Sequence, residues 1–158
     1  MPLDTQIPEH GLRQLRKGRT SISGQIYLVT TITHERRPIF EDLFLGRVIV
    51  SCLKYESEAG RANTLCYVVM PDHLHWLLDL TGKSSLSRIV HNVKSQSARR
   101  INASRGHGAA VWQRGFYDRA IRSDEDLPMI ARYLVANPQS AGIVKSCREY
   151  PLWDAVWL

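Results

Sequence analysis

The chain is poor in the features that mark secreted, membrane-spanning and nucleotide-hydrolysing proteins. Its three cysteines, Cys52, Cys66 and Cys147, are scattered over 158 residues, and no Cys-x-x-Cys occurs. That set excludes a disulfide framework and a cysteine-based zinc site, and reads as reduced thiols. No apolar run approaches the length needed to cross a bilayer, and the start, Met1-Pro2-Leu3-Asp4, lacks the apolar core of a signal peptide. A cytoplasmic protein with no membrane partner is expected. There is no phosphate-cradling Gly-rich loop of the P-loop type, no internal repeat and no low-complexity segment.

What is present is ordinary globular composition with a basic excess. Hydrophobic residues make up 44% and charged residues 23%, within the range of a globular domain with its own core. The formal charge of +6 favours a polyanionic partner, nucleic acid before an anionic membrane surface. Residues 1–24 are polar and carry Arg13, Arg16, Lys17 and Arg19. They read as a basic arm ahead of one domain over 25–158, either solvated or laid along a nucleic-acid backbone.

Hydrophobic patterning gives the order β-α-β-β-α-β, then a helix. Tyr27 to Thr33 is β-branched and aromatic, hence a strand. Leu43, Val48, Ile49, Cys52 and Leu53 recur at helical spacing over about residues 41–58. Thr64–Met70 and His73–Leu80 form a hairpin around Pro71-Asp72. Leu86, Ile89, Val90 and Val93 mark a second helix over about residues 85–103, whose other face carries Arg88, His91, Lys94, Arg99 and Arg100. Val111 to Arg122 reads as a fourth strand bulged at Gly115, with Arg114 beside the bulge. A last helix starts near Leu127 and runs to about Asn137, where Pro138 opposes continuation. This is the ferredoxin-like, split-βαβ pattern of an α+β fold: one antiparallel sheet, helices on one face and an additional C-terminal helix. Its first and third strands are central.

The stretch Val68-Val69-Met70-Pro71-Asp72-His73-Leu74-His75-Trp76 carries the chemistry. Side chains alternate along a strand, so His73 and His75 share a face and can grip one divalent cation. Two histidines alone are a weak signal. The last helix adds Tyr133 and Asn137, four apart and so on one helical face. A phenol is a potential nucleophile and an amide oxygen a ligand for a hard cation. Tyr117 is the rival nucleophile, although its place beside Trp112 and Phe116 suits packing.

These motifs in this order resemble the single-tyrosine HUH transposases, in particular the REP-associated tyrosine transposases. They are Met70-Pro71-Asp72-His73-Leu74-His75, then Trp112-Gln113-Arg114-Gly115-Phe116-Tyr117-Asp118, then Tyr133 to Asn137-Pro138 with Ala141-Gly142. The resemblance covers roughly residues 20–150. It implies that His73, His75 and Asn137 hold Mg²⁺ or Mn²⁺ and that Tyr133 is the nucleophile. It further implies that single-stranded or hairpin DNA from repetitive extragenic palindromes is cleaved and rejoined through a 5′-phosphotyrosine. The protein would then be nucleoid-associated when bound. Arg119 stands where many relatives have histidine. Arg88, Lys94, Arg99, Arg100, Arg114, Arg16, Lys17 and Arg19 are the expected DNA contacts. Monomer and homodimer both stay open. So do two rivals: a catalytically silent DNA-binding protein of the same fold, and a metal-dependent hydrolase using water. An RNA-recognition module on the same topology is disfavoured by the sheet-face histidines and by the lack of its Lys/Arg-Gly-Phe motif.

Overall fold

The computed structural model describes residues 24–158. Arg13, Arg16, Lys17 and Arg19, and with them the basic arm, lie outside the described residues.

The elements follow the hydrophobic patterning closely. Strand β1 is Ile26–Ile32, helix α1 is Leu43–Glu58, strands β2 and β3 are Ala62–Met70 and His73–Leu80, and helix α2 is Leu86–Arg105. Strand β4 is Tyr117–Ala120, helix α3 is Leu127–Val135, a further short helix α4 is Asn137–Ser140, and strand β5 is Trp153–Ala155. Each long helix begins on a side-chain cap. Asp42 accepts from the amides of Phe44 and Leu45, Ser85 from Arg88, and Asp126 from Met129, which satisfies donors a helix start leaves open. Helix α2 stops at Gly106, whose φ of 73° is a left-handed conformation.

The strands form one antiparallel sheet in the order β4-β1-β3-β2-β5. The first four reproduce the ferredoxin-like arrangement, with β1 and β3 interior. Register assigns the faces. Leu74, Trp76, Leu78 and Leu80 point to one side and are all buried. Trp76 Nε1 donates to Thr64 Oγ1 at 3.0 Å, and the hydroxyl of Ser57 at the end of α1 is 3.4 Å from the same oxygen. Thr33 pairs with Trp112, whose indole donates to Ser97 of α2 at 3.0 Å. Helices α1 and α2 therefore cover this side. The opposite side carries His73, His75, Leu77 and Asp79, with Met70, Val68 and Cys66 beside them on β2 and Ile32, Thr30 and Leu28 on β1.

Helix α3 packs on that second side, where the Cys66 thiol lies 4.0 Å from the Ala131 carbonyl. The expectation of helices on one face thus holds for α1 and α2, and the C-terminal helix takes the other.

Three expectations change. The fourth strand is four residues long, where Val111 to Arg122 was read as strand. The preceding stretch has other partners: Trp112 turns inward onto Phe40 and Ser97, and Lys94 Nζ takes the carbonyls of Gln113 and Gly115 at 2.7 and 2.5 Å. Those carbonyls bond an ammonium and not a neighbouring strand. The chain beyond Gly142, for which no strand was expected, contains a fifth, and β5 pairs with β2, so β2 becomes interior. The chain also coils on past Pro138 through α4, because a proline at the start of a helical turn has no amide to lose there.

Candidate active site

The histidines occupy the first and third residues of β3, at the mouth of the hairpin. Their rings stand edge to face with centroids 4.8 Å apart. Each Nδ1 has a protein partner. His73 Nδ1 lies 2.6 Å from Asp72 Oδ1, and His75 Nδ1 lies 2.9 Å from Thr30 Oγ1. A carboxylate only accepts, so His73 carries its proton on Nδ1. A threonine hydroxyl donates or accepts and follows either tautomer of His75. Nε2 of His73 is then the nitrogen available to a cation, and Nε2 of His75 is so in the tautomer whose Nδ1 donates to Thr30, the arrangement in which a second hydrogen bond orients a metal-binding imidazole.

The electrostatics suit His75 as a neutral donor. Burial, and then the neighbouring His73, push His75 down to about 3, so it is unprotonated at neutral pH and need not lose a proton to bind a cation. Asp72 is held below the usual carboxylate range, chiefly by the His73 hydrogen bond and further by Arg36, whose Nη1 lies 3.3 Å from Oδ2.

The hairpin turn is fixed from outside. Thr33 gives its amide to the Asp72 carbonyl at 2.9 Å, its hydroxyl shares one proton between the Arg37 and Asp72 carbonyls at 2.8 and 3.0 Å, and the Phe40 amide donates to the Pro71 carbonyl at 2.9 Å.

Helix α3 carries Tyr133 on the histidine side of the sheet, and Asn137 begins α4 directly after it. Ala131, Leu134 and Val135 are buried, while Tyr133 is 37% exposed. Asn137 has a structural task. Pro138 lacks the amide that would reach the Leu134 carbonyl, and the Asn137 side-chain Nδ2 takes that carbonyl instead at 2.9 Å. With the nitrogen turned to the helix, the amide oxygen is the end left for a cation.

The connection from β4 into α3 is short and tied down. Arg119 pairs with Leu28 across the sheet, and so stands on the histidine side. It meets Glu125 Oε1 at 2.6 Å, while Glu125 Oε2 accepts from the Arg122 amide at 2.7 Å. Arg119 first, and then Arg122, hold the Glu125 carboxyl below its ordinary range. Tyr117 pairs with Thr30 and lies on the same side as well.

Comparison with known proteins settles the family. The family model described as "Transposase IS200 like" matches residues 21–137. The chain belongs to the IS200-like transposase family. It is similar to a Haemophilus influenzae (strain KW20 / Rd) protein named as a REP-associated tyrosine transposase. The two are 24% identical over 143 residues, covering 84% of this chain and 81% of the relative.

Two solved structures share the fold of this IS200-like transposase. One is a REP-associated tyrosine transposase bound to a REP hairpin, with a TM-score of 0.67, 23% identity, and coverage of 85% of this chain and 79% of that one. The other is a protein described as a transposase from Deinococcus radiodurans R1, with a TM-score of 0.54, 22% identity, and coverage of 75% and 94%.

The basic residues of this IS200-like transposase divide into groups. Arg88 and Arg99 are exposed on α2, across the sheet from the histidines, and Arg114 is exposed in the loop before β4. Lys94 and Arg100, read as part of the same phosphate-facing set, both have partners within the fold, and Arg100 is exposed as well. Lys94 holds the carbonyls of the Gln113–Gly115 loop, and Arg100 Nη1 meets Ser51 Oγ of α1 at 3.0 Å. Their charge braces α2 against its neighbours. Arg16, Lys17 and Arg19 lie outside the described residues.

Thr30, Asp72 and Arg36 were not singled out from the sequence. An acid directly before a histidine in a turn was a usable signal for Asp72. Thr30 and Arg36 reach the site only through the fold.

Proposed function

We propose that this IS200-like transposase cleaves and rejoins single-stranded DNA next to REP-type hairpins, using Tyr133 as nucleophile and a divalent cation held by His73, His75 and Asn137. The observation that carries the reading is the donor pair itself. The two imidazoles share one face, each has its Nδ1 engaged by a neighbour, and His75 is neutral at working pH. Family membership and the hairpin-bound neighbour of the same fold support the choice of DNA as substrate.

The donor set of two imidazoles and an amide oxygen fits Mn²⁺ or Mg²⁺. Such a cation would supply positive charge to polarise the scissile phosphate and lower the cost of forming the phenolate. The chain's own part is positional. Helix α3 presents Tyr133 half-exposed from a buried anchor. The phenolic oxygen forms a bond to phosphorus, the bond from phosphorus to the 3′ oxygen breaks, the phenol loses its proton and the leaving oxygen gains one. One phosphoester replaces another, so no nucleotide is consumed. Attack by a second 3′-hydroxyl reverses the step.

Arg88, Arg99 and Arg114, with the arm residues Arg16, Lys17 and Arg19, are assigned to backbone phosphates. Lys94 and Arg100 serve the fold first.

The test is incubation with a labelled REP-type hairpin carrying single-stranded flanks, with Mn²⁺ or with chelator, followed by a denaturing gel. A metal-dependent covalent adduct that is lost in Tyr133→Phe supports the reading. Hairpin binding with no adduct across several flanking sequences favours the silent DNA-binding protein. Cleavage to free 5′-phosphate ends favours the hydrolase.

A further inference from the structure

Beyond the donor atoms, Asp72 and Arg36 have no assigned task. Asp72 fills the hairpin turn and uses both carboxylate oxygens, Oδ1 on His73 Nδ1 at 2.6 Å and Oδ2 on Arg36 Nη1 at 3.3 Å. With both oxygens engaged it is not placed as a ligand itself.

Arg36 comes from an unusual piece of backbone. Glu35 and Arg36 have φ of 55° and 51°, two successive side-chain-bearing residues in the left-handed region, which is strained for any residue but glycine. Such conformations persist where the surroundings over-determine them. Here the Arg36 amide donates to the Thr33 carbonyl at 3.0 Å, the His34 amide to the Val111 carbonyl at 2.9 Å, and the Thr33 hydroxyl to the Arg37 carbonyl at 2.8 Å. Glu35 is turned away from the site toward Arg37, at 2.8 Å. The strain therefore leaves the arginine, and not the glutamate, facing Asp72.

We infer that Arg36, Asp72 and His73 form a positioning relay: Arg36 fixes the carboxylate, and the carboxylate fixes the Nδ1-protonated tautomer and ring orientation of His73, so that Nε2 is preset as a cation donor. The inference rests on the reading of His73 as a ligand, but its first consequence exists without any cation. Asp72 and Arg36 are positioning residues, and neither touches DNA in this scheme.

The experiment has two readouts on the full chain. Two-bond ¹⁵N–¹H correlation of the imidazoles in cation-free protein reports the tautomer of His73. Electron paramagnetic resonance of added Mn²⁺ reports affinity. In the wild type His73 is protonated at Nδ1. Asp72→Ala removes that preference and weakens Mn²⁺ binding by roughly 10- to 100-fold, the range expected when an outer partner of a ligand is lost. Asp72→Asn, whose amide oxygen still accepts from Nδ1, keeps the tautomer with an intermediate loss of affinity, and Arg36→Gln shows a smaller loss.

A wild-type His73 protonated at Nε2 overturns the relay, as does an Asp72→Ala protein with unchanged tautomer and affinity. If Asp72→Ala fails to fold, the tautomer ratios of Asp72→Asn and Arg36→Gln decide, and wild-type ratios and affinity in both reject the relay. If the wild type binds no Mn²⁺ while Asp72→Ala still redistributes the His73 tautomers, the relay stands and the metal reading falls.

Discussion

His75 has a measurable signature before any DNA is added. Its proton affinity is depressed from about 6.5 in an unfolded chain to about 3 in the folded one. The unfolded state therefore binds a proton that the native state refuses between those values. Stability from this group is fully present above about pH 6.5 and drains away as pH falls toward 3, with a slope of at most ~1.4 kcal/mol per pH unit. Denaturant midpoints measured from pH 7 to pH 4.5 should fall in the wild type and fall less steeply in His75→Gln. Equal slopes in the two proteins would show that His75 is protonated freely in the fold. A second residue-scale effect concerns Glu56, which is 1% exposed and bonded twice by Arg61, at 2.6 and 3.0 Å. Arg61→Ala strands a buried charge and should cost about 3 kcal/mol, read as a shifted urea midpoint, with DNA binding retained. A change below about 0.5 kcal/mol, typical of a surface site, would mean water reaches the carboxylate.

At the scale of elements, α3 and α4 are joined by a residue with two tasks. The Asn137 nitrogen replaces the amide that Pro138 lacks, and its oxygen is proposed as a ligand. Substitutions separate the two. Asn137→Asp keeps an oxygen but places it against the Leu134 carbonyl, so it should lose about 1 kcal/mol of stability while retaining Mn²⁺. Asn137→Ala should lose both. Calorimetry alongside Mn²⁺ titration checks the pair, and an Asn137→Ala protein that binds Mn²⁺ normally would remove Asn137 from the ligand set.

Elements were also where the sequence was most and least readable. The recurrence of Leu43 to Leu53 and of Leu86 to Val93 announced helices, because one face of each is buried. The alternation of Tyr27 to Thr33 and of His73 to Leu80 announced strands, because one face of each is buried. Strand β5 spans only Trp153–Ala155, too short to show a period. Val111 to Phe116 misled, because its aromatic and β-branched residues suit a strand, yet it pairs with β1 only through a bridge at Thr33 and Trp112, after which the Gln113 and Gly115 carbonyls turn to Lys94. Within the candidate site, the shared face of His73 and His75 was legible through their spacing along one strand. Thr30 and Arg36 reach the histidine strand across 45 and 36 residues, and no local pattern encodes that.

For the whole molecule, the sheet separates two surfaces. Helices α1 and α2 cover one side and present Arg88 and Arg99, while the histidines and α3 share the other. The path from β4 to α3 is short and clamped by Arg119 and Glu125, and α3 is seated on β2 of its own chain through Ala131. On the proposed function, a tyrosine so tethered is expected to act on its own histidine pair. Mixing Tyr133→Phe with a His73→Ala, His75→Ala double variant should then restore no adduct, and adduct yield per protein should not depend on protein concentration. Complementation on mixing would show that helices are exchanged between two copies.

A covalent link from Tyr133 to DNA, made with the histidine pair of the same chain, is read by peptide mapping of the adduct formed with hairpin DNA and Mn²⁺, after nuclease trimming and mass spectrometry. The expected result is a residual nucleotide on the peptide containing Tyr133 and none when chelator replaces Mn²⁺. A nucleotide on Tyr117, or on Tyr133 regardless of metal, would contradict it.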